Sequence, residues 1–324
     1  MVSPASPASG ATGVNGAGSV TFRTDGTVDL AAISTSVSPP TPGRWSAGPG
    51  RLVFTPTGAF PPSTRVVISV SPAAAAVGDP RPIASVTTSF VTAPGSVLRL
   101  QQLLAALGYL PVRWAPAGGP AASLVAGSAG AQRAVYSPPA GTFTWTWSAP
   151  PAPLVAQWSP GNYTTMVKGA VMAFEADQSL AVDGIAGPLV WSHLLAATVG
   201  SGAGYTYALA SKTAPETLSV WHDGTLVATS PANTGIPVAP TADGTFPVYE
   251  RLATQVMKGT NPNGSHYADP VAWVAYFNGG DAIHYIARSS YGYPQSLGCV
   301  EVPYQVGKTI WPDLTIGTLV TVTG

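Results

Sequence analysis

The sequence predicts a multidomain, mainly β protein with one short helical segment in its middle. Three observations carry this. The 324 residues include 36 glycines and 33 prolines, which favour turns and interrupt helices. Short runs rich in β-branched residues, separated by turn signals, occupy both ends of the chain. Helical periodicity is confined to the segment between them. The length fits two or three domains, each able to bury a core. Hydrophobic residues make up 45% of the chain, enough for those cores and too many for wholesale disorder. Only 9% of residues are charged, against about 25% in an average domain. The polar surface is therefore built largely from Thr, Ser, Asn, Gln and backbone.

Residues 1–15 read as a flexible tether, rich in Ser, Ala, Pro and Gly. They lack a basic region followed by an apolar one, so they are not a signal peptide. Residues 16–93 carry the runs Ser19–Phe22, Thr27–Leu30, Arg51–Thr55, Arg65–Val70 and Ser85–Val91, with turn signals Asp25-Gly26, Pro39-Pro40 and Pro61-Pro62 between them. Short strands at this spacing predict a β-sandwich. Trp45, Leu52, Phe54, Pro56 and Phe60 resemble the core of bacterial immunoglobulin-like spacer modules. An apolar core explains all of them, and no chemistry is assigned here.

Residues 95–199 change period. Leu100, Leu103, Leu104 and Leu107 recur at helical spacing before Gly108, a C-cap signal. A second helix is expected over Thr165–Gln178, with Val167, Val171 and Phe174 on one face. Asp183-Gly184 then makes a turn, and Pro188 opens a third helix with Trp191 and Leu194. LQQLLAALGYL and AVMAFEADQSLAVDGIAGPLVW resemble a three-helix peptidoglycan-binding domain. Residues 111–164 depart from that family, which has a short loop there. Trp114, Trp145, Trp147 and Trp158 lie in this stretch, and Phe143–Trp147 alternates like a strand. A hairpin-like insertion is expected, because a structureless loop this long is unusual in a compact domain. Its aromatics are expected to pack against the helices, with stacking on sugar rings the alternative.

Residues 205–324 read as β again. Leu218–His222 and Thr225–Thr229 flank Asp223-Gly224, a two-residue hairpin signal. Further strands are expected over Gly244–Tyr249, Val271–Phe277, Ala282–Ile286 and Gly317–Val322.

Chemistry gathers near the end of this segment. His284 sits in Ala282–Ile286, and the chain's single cysteine in Ser296-Leu297-Gly298-Cys299-Val300-Glu301. A free thiol is only a few per cent ionised at neutral pH, so nucleophilic sulfur needs an imidazole to take its proton. The same imidazole later protonates the leaving amine. Gly298 permits close approach of a substrate carbonyl, and the N–H groups of Gly298 and Cys299 are candidates for an oxyanion hole. From these two side chains alone, a buried cysteine and an unrelated histidine explain the sequence equally well.

The segment as a whole resembles the L,D-transpeptidase catalytic domain, the YkuD family. Its motifs occur in order: the Leu218–Ser230 hairpin, Asn233-Thr234-Gly235, Pro240–Val248, Ile283-His284, Ser296-x-Gly298-Cys299 and Gly317-Thr318-Leu319-Val320. The resemblance implies Cys299 as nucleophile, His284 as base, Ser296 as the shaper of the cysteine loop and Gly298 as part of the oxyanion turn. Tyr285, Arg288 and Tyr249 are expected to line the substrate cleft, Arg288 by gripping a peptide carboxylate. Two departures stand out: Leu297 replaces a histidine, and Glu301 replaces an arginine or asparagine. The implied activity is a 3→3 cross-link. The sulfur attacks the carbonyl between the third and fourth residues of a tetrapeptide stem, and an amine from a neighbouring stem takes the acyl group. Water as acceptor makes the alternative an L,D-carboxypeptidase, and a non-catalytic peptidoglycan-binding protein is the alternative from another class.

The expected partners are stem peptides and glycan, with carbapenem β-lactams as covalent inhibitors. A monomer outside the cytoplasm, at the cell wall, needing no cofactor or metal, completes the expectation. Fourteen basic residues balance fourteen acidic ones, so no net field draws the chain to nucleic acid. No apolar run reaches the length of a membrane span. His193, His222 and His266 have no partner at zinc-ligand spacing.

Overall fold

The computed structural model describes residues 2–73, 85–119 and 124–324. It divides into two compact units. Met1–Leu100, Pro116–Gly141 and Ala186–Thr198 form the first; Gln101–Ala115, Thr142–Ile185 and Val199–Gly324 form the second. The stretch expected to be one middle domain, 95–199, is thus shared between them.

The first unit holds strands β1 (Val2–Ser6), β2 (Val20–Thr24), β3 (Ile33–Ser38), β4 (Gly43–Gly48), β5 (Arg51–Pro56), β6 (Arg65–Pro72) and β7 (Val86–Val91). They make two antiparallel sheets, ordered β1-β2-β5-β4 and β3-β6-β7. Phe22, Leu52 and Phe54 from one sheet meet Val66, Ile68, Val70 and Phe90 from the other in a single core. The expected sandwich is present.

Two expectations need correction. The start of the chain is not a tether: β1 pairs with β2, and Val2 is buried. Ladder hydrogen bonds and one apolar anchor outweigh a composition that reads as flexible. Thr27–Leu30 is not a strand either. The Asp29 side chain accepts from the Ala31 N–H and opens a 3-10 turn, delaying β3 to Ile33.

Helix α1 (Val97–Ala106) ends as its sequence predicts. Gly108, at φ +76°, donates to Ala105 O at 3.2 Å, and Tyr109 N–H reaches Leu104 O at 2.9 Å. That pair of bonds is a Schellman motif. Strands β8 (Val112–Pro116) and β9 (Gly141–Trp145) pair in a two-stranded sheet, and helix α2 (Ala129–Ala134) lies between them in the sequence. The expected strand pairing within residues 111–164 thus forms. Residues around α2 bond the sandwich within the first unit: Tyr136 Oη donates to Phe60 O at 2.9 Å, and Arg133 donates to Thr57 O. In the second unit, the Phe143 ring lies 5.1 Å from Trp158, and buried Trp147 lies 5.9 Å from Tyr205.

A short helix, α3 (Ala152–Val155), precedes α4 (Thr165–Asp177), which is capped by the Thr164 hydroxyl. Helix α5 (Pro188–Ala196) carries proline in its first turn, where the missing N–H costs nothing. All three expected helices form. Glu175 of α4 is buried and accepts from Asp183 N–H and Gly184 N–H at 3.1 and 2.8 Å, fixing the predicted turn.

The rest of the second unit holds β10 (Thr206–Ser211), β11 (Thr217–His222), β12 (Thr225–Pro231), β13 (Gly244–Pro247), β14 (Glu250–Thr260), β15 (His266–Asn278), β16 (Asp281–Tyr285), β17 (Val300–Val302), α6 (Tyr304–Ile310) and β18 (Leu319–Thr323). One sheet runs β12-β11-β10-β18-β13, the other β14-β15-β16-β17. Asp223 and Gly224 take φ +46° and +81° at the β11–β12 turn, the left-handed pair that a two-residue hairpin needs. Ala208, Val220, Val320 and Val322 of the first sheet pack with Ala275, Ile283, Val300 and Val302 of the second. Helix α4 approaches this region backbone to backbone. A Cβ on Gly169 would meet Gly317 O at 2.5 Å, and one on Gly317 would meet Gly169 O at 2.2 Å, so both positions require glycine.

Candidate active site

Strand register decides what faces what. In the parallel β16–β17 ladder, Ile283 pairs with Val300, His284 with Glu301 and Tyr285 with Val302. Paired residues share a face, and faces alternate along each strand. Ile283, Val300 and Val302 enter the core between the sheets. His284 and Glu301 therefore point the other way, and Cys299, two residues before Glu301, joins them. Strand spacing puts the Cα atoms of Cys299 and His284 roughly 8 Å apart. Both residues line one cleft of about 760 Å³.

The long β14–β15 hairpin forms another wall. Gln255 and Met257 pair with Val271 and Asp269, and all four line the cleft. Tyr276 also lines it and donates from its hydroxyl to Gln255 Oε1 at 2.7 Å.

The loop before the cysteine is held by backbone and by Ser296. The Ser296 hydroxyl donates to Cys299 O at 2.6 Å and accepts from Gly298 N–H at 3.1 Å. Ser296 N–H donates to Thr234 O, and Ile236 N–H to Ser296 O. Thr234 is fixed in turn by buried Glu216, which accepts from its N–H and its hydroxyl at 2.7 and 2.8 Å. Gly298 sits at φ +121°, and a Cβ there would meet Asp281 Oδ1 at 2.4 Å. Ser296 thus bridges both residues that follow Leu297 in this loop. The Gly298 N–H is committed to Ser296, however, which removes it as a ready oxyanion donor.

The imidazole is buried, 2% exposed. Nδ1 lies 3.2 Å from Tyr285 O, so Nδ1 carries the proton and Nε2 is left as an acceptor. Burial lowers its pKa, opposed by the Tyr285 carbonyl and Glu301; the ring is neutral at pH 7. The Cys299 thiol donates weakly to Gly280 O, with the sulfur 3.7 Å away. Burial pushes that thiol up to about 12, with Asp281 and Glu301 adding to the rise and the Ala282 N–H opposing it. Among the described residues no hydrogen bond joins the thiol to the imidazole.

Glu301 is 2% exposed and grips Arg288 in a bidentate pair, Nε–Oε2 2.9 Å and Nη2–Oε1 2.6 Å. Asn233 Nδ2 adds a third donor to Oε2 at 3.2 Å. The Arg288 fork expected to meet a peptide carboxylate is thus already engaged. Tyr285 is a clearer correction. It follows His284 on a strand and so faces the opposite side, where its ring packs 5.8 Å from Trp273 and 5.2 Å from Tyr304. Tyr249 stands outside the cleft lining: its hydroxyl donates to Gly279 O, and its ring packs 6.1 Å from Tyr276. The residues that sequence reading passed over are Asp281, Glu216 and the cleft face of the β14–β15 hairpin. Of that face only Val271 and Tyr276 lay within an expected strand; Thr254–Met257 and Tyr267–Pro270 do not alternate in the sequence and gave no signal.

Comparison with family models decides one stretch of the chain. Residues 205–322 match the L,D-transpeptidase catalytic domain, YkuD. The YkuD-matched domain holds every residue of the cleft. Comparison with curated proteins gives no match. Among solved structures, an L,D-transpeptidase from Mycobacterium smegmatis is 16% identical over 100% of both chains, with a TM-score of 0.34. L,D-transpeptidase 3 from Mycobacterium tuberculosis, in complex with a faropenem-derived adduct, is 12% identical over 99% of this chain and 98% of its own, TM-score 0.35. The catalytic domain of the E. faecium L,D-transpeptidase is 27% identical over 36% of this chain and 96% of its own, TM-score 0.33. Scores of this size do not by themselves define a shared fold.

Proposed function

We propose that this chain is an L,D-transpeptidase of the bacterial cell wall, acting outside the cytoplasm through a cysteinyl thioester. The observation that carries the reading is the shared sheet face. Cys299 and a neutral His284 with a free Nε2 line one cleft inside the YkuD-matched domain. His284 Nε2 takes the thiol proton as the sulfur attacks the carbonyl after the third stem residue, forming the C–S bond. The C–N bond to the terminal D-amino acid breaks, and the imidazolium returns its proton to that amine. The amine of a neighbouring stem then attacks the thioester and gives its proton to His284. The C–S bond breaks, and the thiol is restored. The Cys299 N–H is the oxyanion donor in this scheme. No metal or organic cofactor takes part. Carbapenems, strained acyl donors, would acylate the same sulfur.

The remaining modules fit this setting. The order β1-β2-β5-β4 against β3-β6-β7 is that of a constant-type immunoglobulin sandwich, which supports a spacer role. The sequences of helices α1, α4 and α5 resemble those of a peptidoglycan-binding domain, which supports a role in holding the wall. The test is incubation with a tetrapeptide stem and an acceptor stem. Release of the terminal residue together with a cross-linked dimer supports the transpeptidase; release without a dimer supports the carboxypeptidase.

One observation favours a second reading, a silent wall-binding domain. The thiol, pushed up to about 12 and bonded to Gly280, is not an anion in the free protein. On the enzymatic reading, the proton leaves only as a docked carbonyl accepts the sulfur. A folded protein that releases nothing from any stem peptide favours the silent reading.

A further inference from the structure

The charged groups lining the cleft are Lys258, Asp269, Asp281, Arg288 and Glu301, with neutral His284 among them. Three acids face two bases. Lys258 pairs with Ala268 on the hairpin, so its backbone position alternates with Met257 and Asp269, while its side chain still contributes to the cleft lining. Of the two cations, Arg288 is the one that acts electrostatically on His284. Its fork is held by Glu301 through Nε and Nη2, and Glu301 is fixed by burial and by Asn233. Asp269 is close enough to act electrostatically on both Arg288 and His284. A carboxylate entering beside His284 would meet Asp269 and a guanidinium already neutralised. An uncharged amide or an ammonium meets no such opposition.

We propose that Glu301, by sequestering Arg288, sets the substrate class of this cleft: stems whose third, diamino-acid residue carries no free side-chain carboxylate. A lysine-type or amidated side chain qualifies. The proposal rests on the transpeptidase reading and narrows it. Glu301 acts through Arg288 as a specificity-determining residue, not as a group that touches the reacting atoms.

The test uses the full chain and two tetrapeptide stems identical except that the far end of the third residue bears a carboxylate or a carboxamide. Acyl-enzyme formation is followed by intact mass, and the ratio of kcat/KM for the two peptides is the readout. Because the ratio is taken within one protein, a loss of folded fraction cancels from it. The wild type is expected to favour the carboxamide by about two- to fivefold, the effect of one partly exposed charge contact. Glu301→Gln frees the fork and is expected to erase or invert that preference. Arg288→Gln leaves Glu301 and Asp269 unopposed and is expected to keep or widen it, so the proposal stays testable if Glu301→Gln does not fold. Equal or carboxylate-favouring acylation by the wild type overturns the proposal, as does an unchanged ratio in a folded Glu301→Gln. Acylation by neither peptide overturns the transpeptidase reading, and this proposal with it.

Discussion

Replacing Gly298 with alanine should disable the cysteine without unfolding the rest of the chain. The position sits at φ +121°, where a side chain costs about 1–3 kcal/mol in backbone strain. The new Cβ would also lie 2.4 Å from Asp281 Oδ1, so one of the two must move by about 0.6 Å to reach even a tight 3.0 Å contact. Asp281 is not free to swing away, because its Oδ2 accepts from Ala242 N–H and Asn278 Nδ2, both at 3.4 Å. The displacement therefore falls partly on the Gly298–Cys299 turn. A misplacement approaching 1 Å costs about a hundredfold in rate. We expect Gly298→Ala to lower Cys299 acylation by at least about thirtyfold and to lower the Tm of the YkuD-matched domain by roughly 5–15 °C. Gly292→Ala is the control. It has φ +111° but its nearest neighbour is 3.6 Å from the added Cβ, so it reports strain without collision. Acylation is read by intact mass under single-turnover conditions and unfolding by near-ultraviolet circular dichroism. If Gly298→Ala acylates at the wild-type rate, the close packing of the turn against Asp281 does not position the nucleophile.

Three further outcomes follow from the same geometry. Ser296→Ala removes the bonds to Cys299 O and Gly298 N–H; about 1–2 kcal/mol of stability and roughly tenfold in acylation should be lost, measured by melting and single-turnover mass. The Cys299 thiol, pushed up to about 12, keeps its proton in the native state where the unfolded chain gives it up near pH 9, so stability should fall as pH rises through that window; alkylation by iodoacetamide should still be accelerating above pH 10, and a plateau near pH 9 contradicts the burial. Burial raises Glu175 to about 7 against its neighbours' N–H bonds. The native state then binds more protons than the unfolded chain between pH 4.5 and 7, and stability declines across that interval. Glu175→Gln should flatten that decline and gain on the order of 2 kcal/mol at pH 8, provided the amide oxygen keeps the Asp183 and Gly184 bonds; pH-resolved urea melts check it.

Much of the architecture was readable because local chemistry and tertiary structure agree. Leu100–Leu107 with Gly108, Thr165–Gln178, and the Asp223-Gly224 hairpin each form as their periodicity and caps predict. Val2–Ser6 was misread because strand pairing can recruit a composition that reads as loose. Ile33–Ser38 and Gly43–Gly48 were passed over, their serines and glycines giving weak β signals. In the site, motif order pointed to Cys299, His284 and Ser296, which the fold brings to one cleft, and to Gly298, whose N–H is bonded to Ser296 instead of facing a substrate. Tyr285 was misread, although alternation on one strand already puts it opposite His284. Arg288 could not be judged from sequence, because its partner Glu301 is thirteen residues away and meets it only through the fold. Glu216 acts at a further remove, through Thr234, and carries no local signature; Asn233 was visible as a motif residue, but its bond to Glu301 was not.

The central claim is acylation of one sulfur with help from one imidazole. Peptide mapping of the adduct formed with a carbapenem or a tetrapeptide stem tests it most directly. A single acyl group on Cys299 is expected, absent from Cys299→Ala and slowed by at least about a hundredfold in His284→Ala. A folded wild-type protein that stays unmodified, or an adduct that persists in Cys299→Ala, contradicts the account.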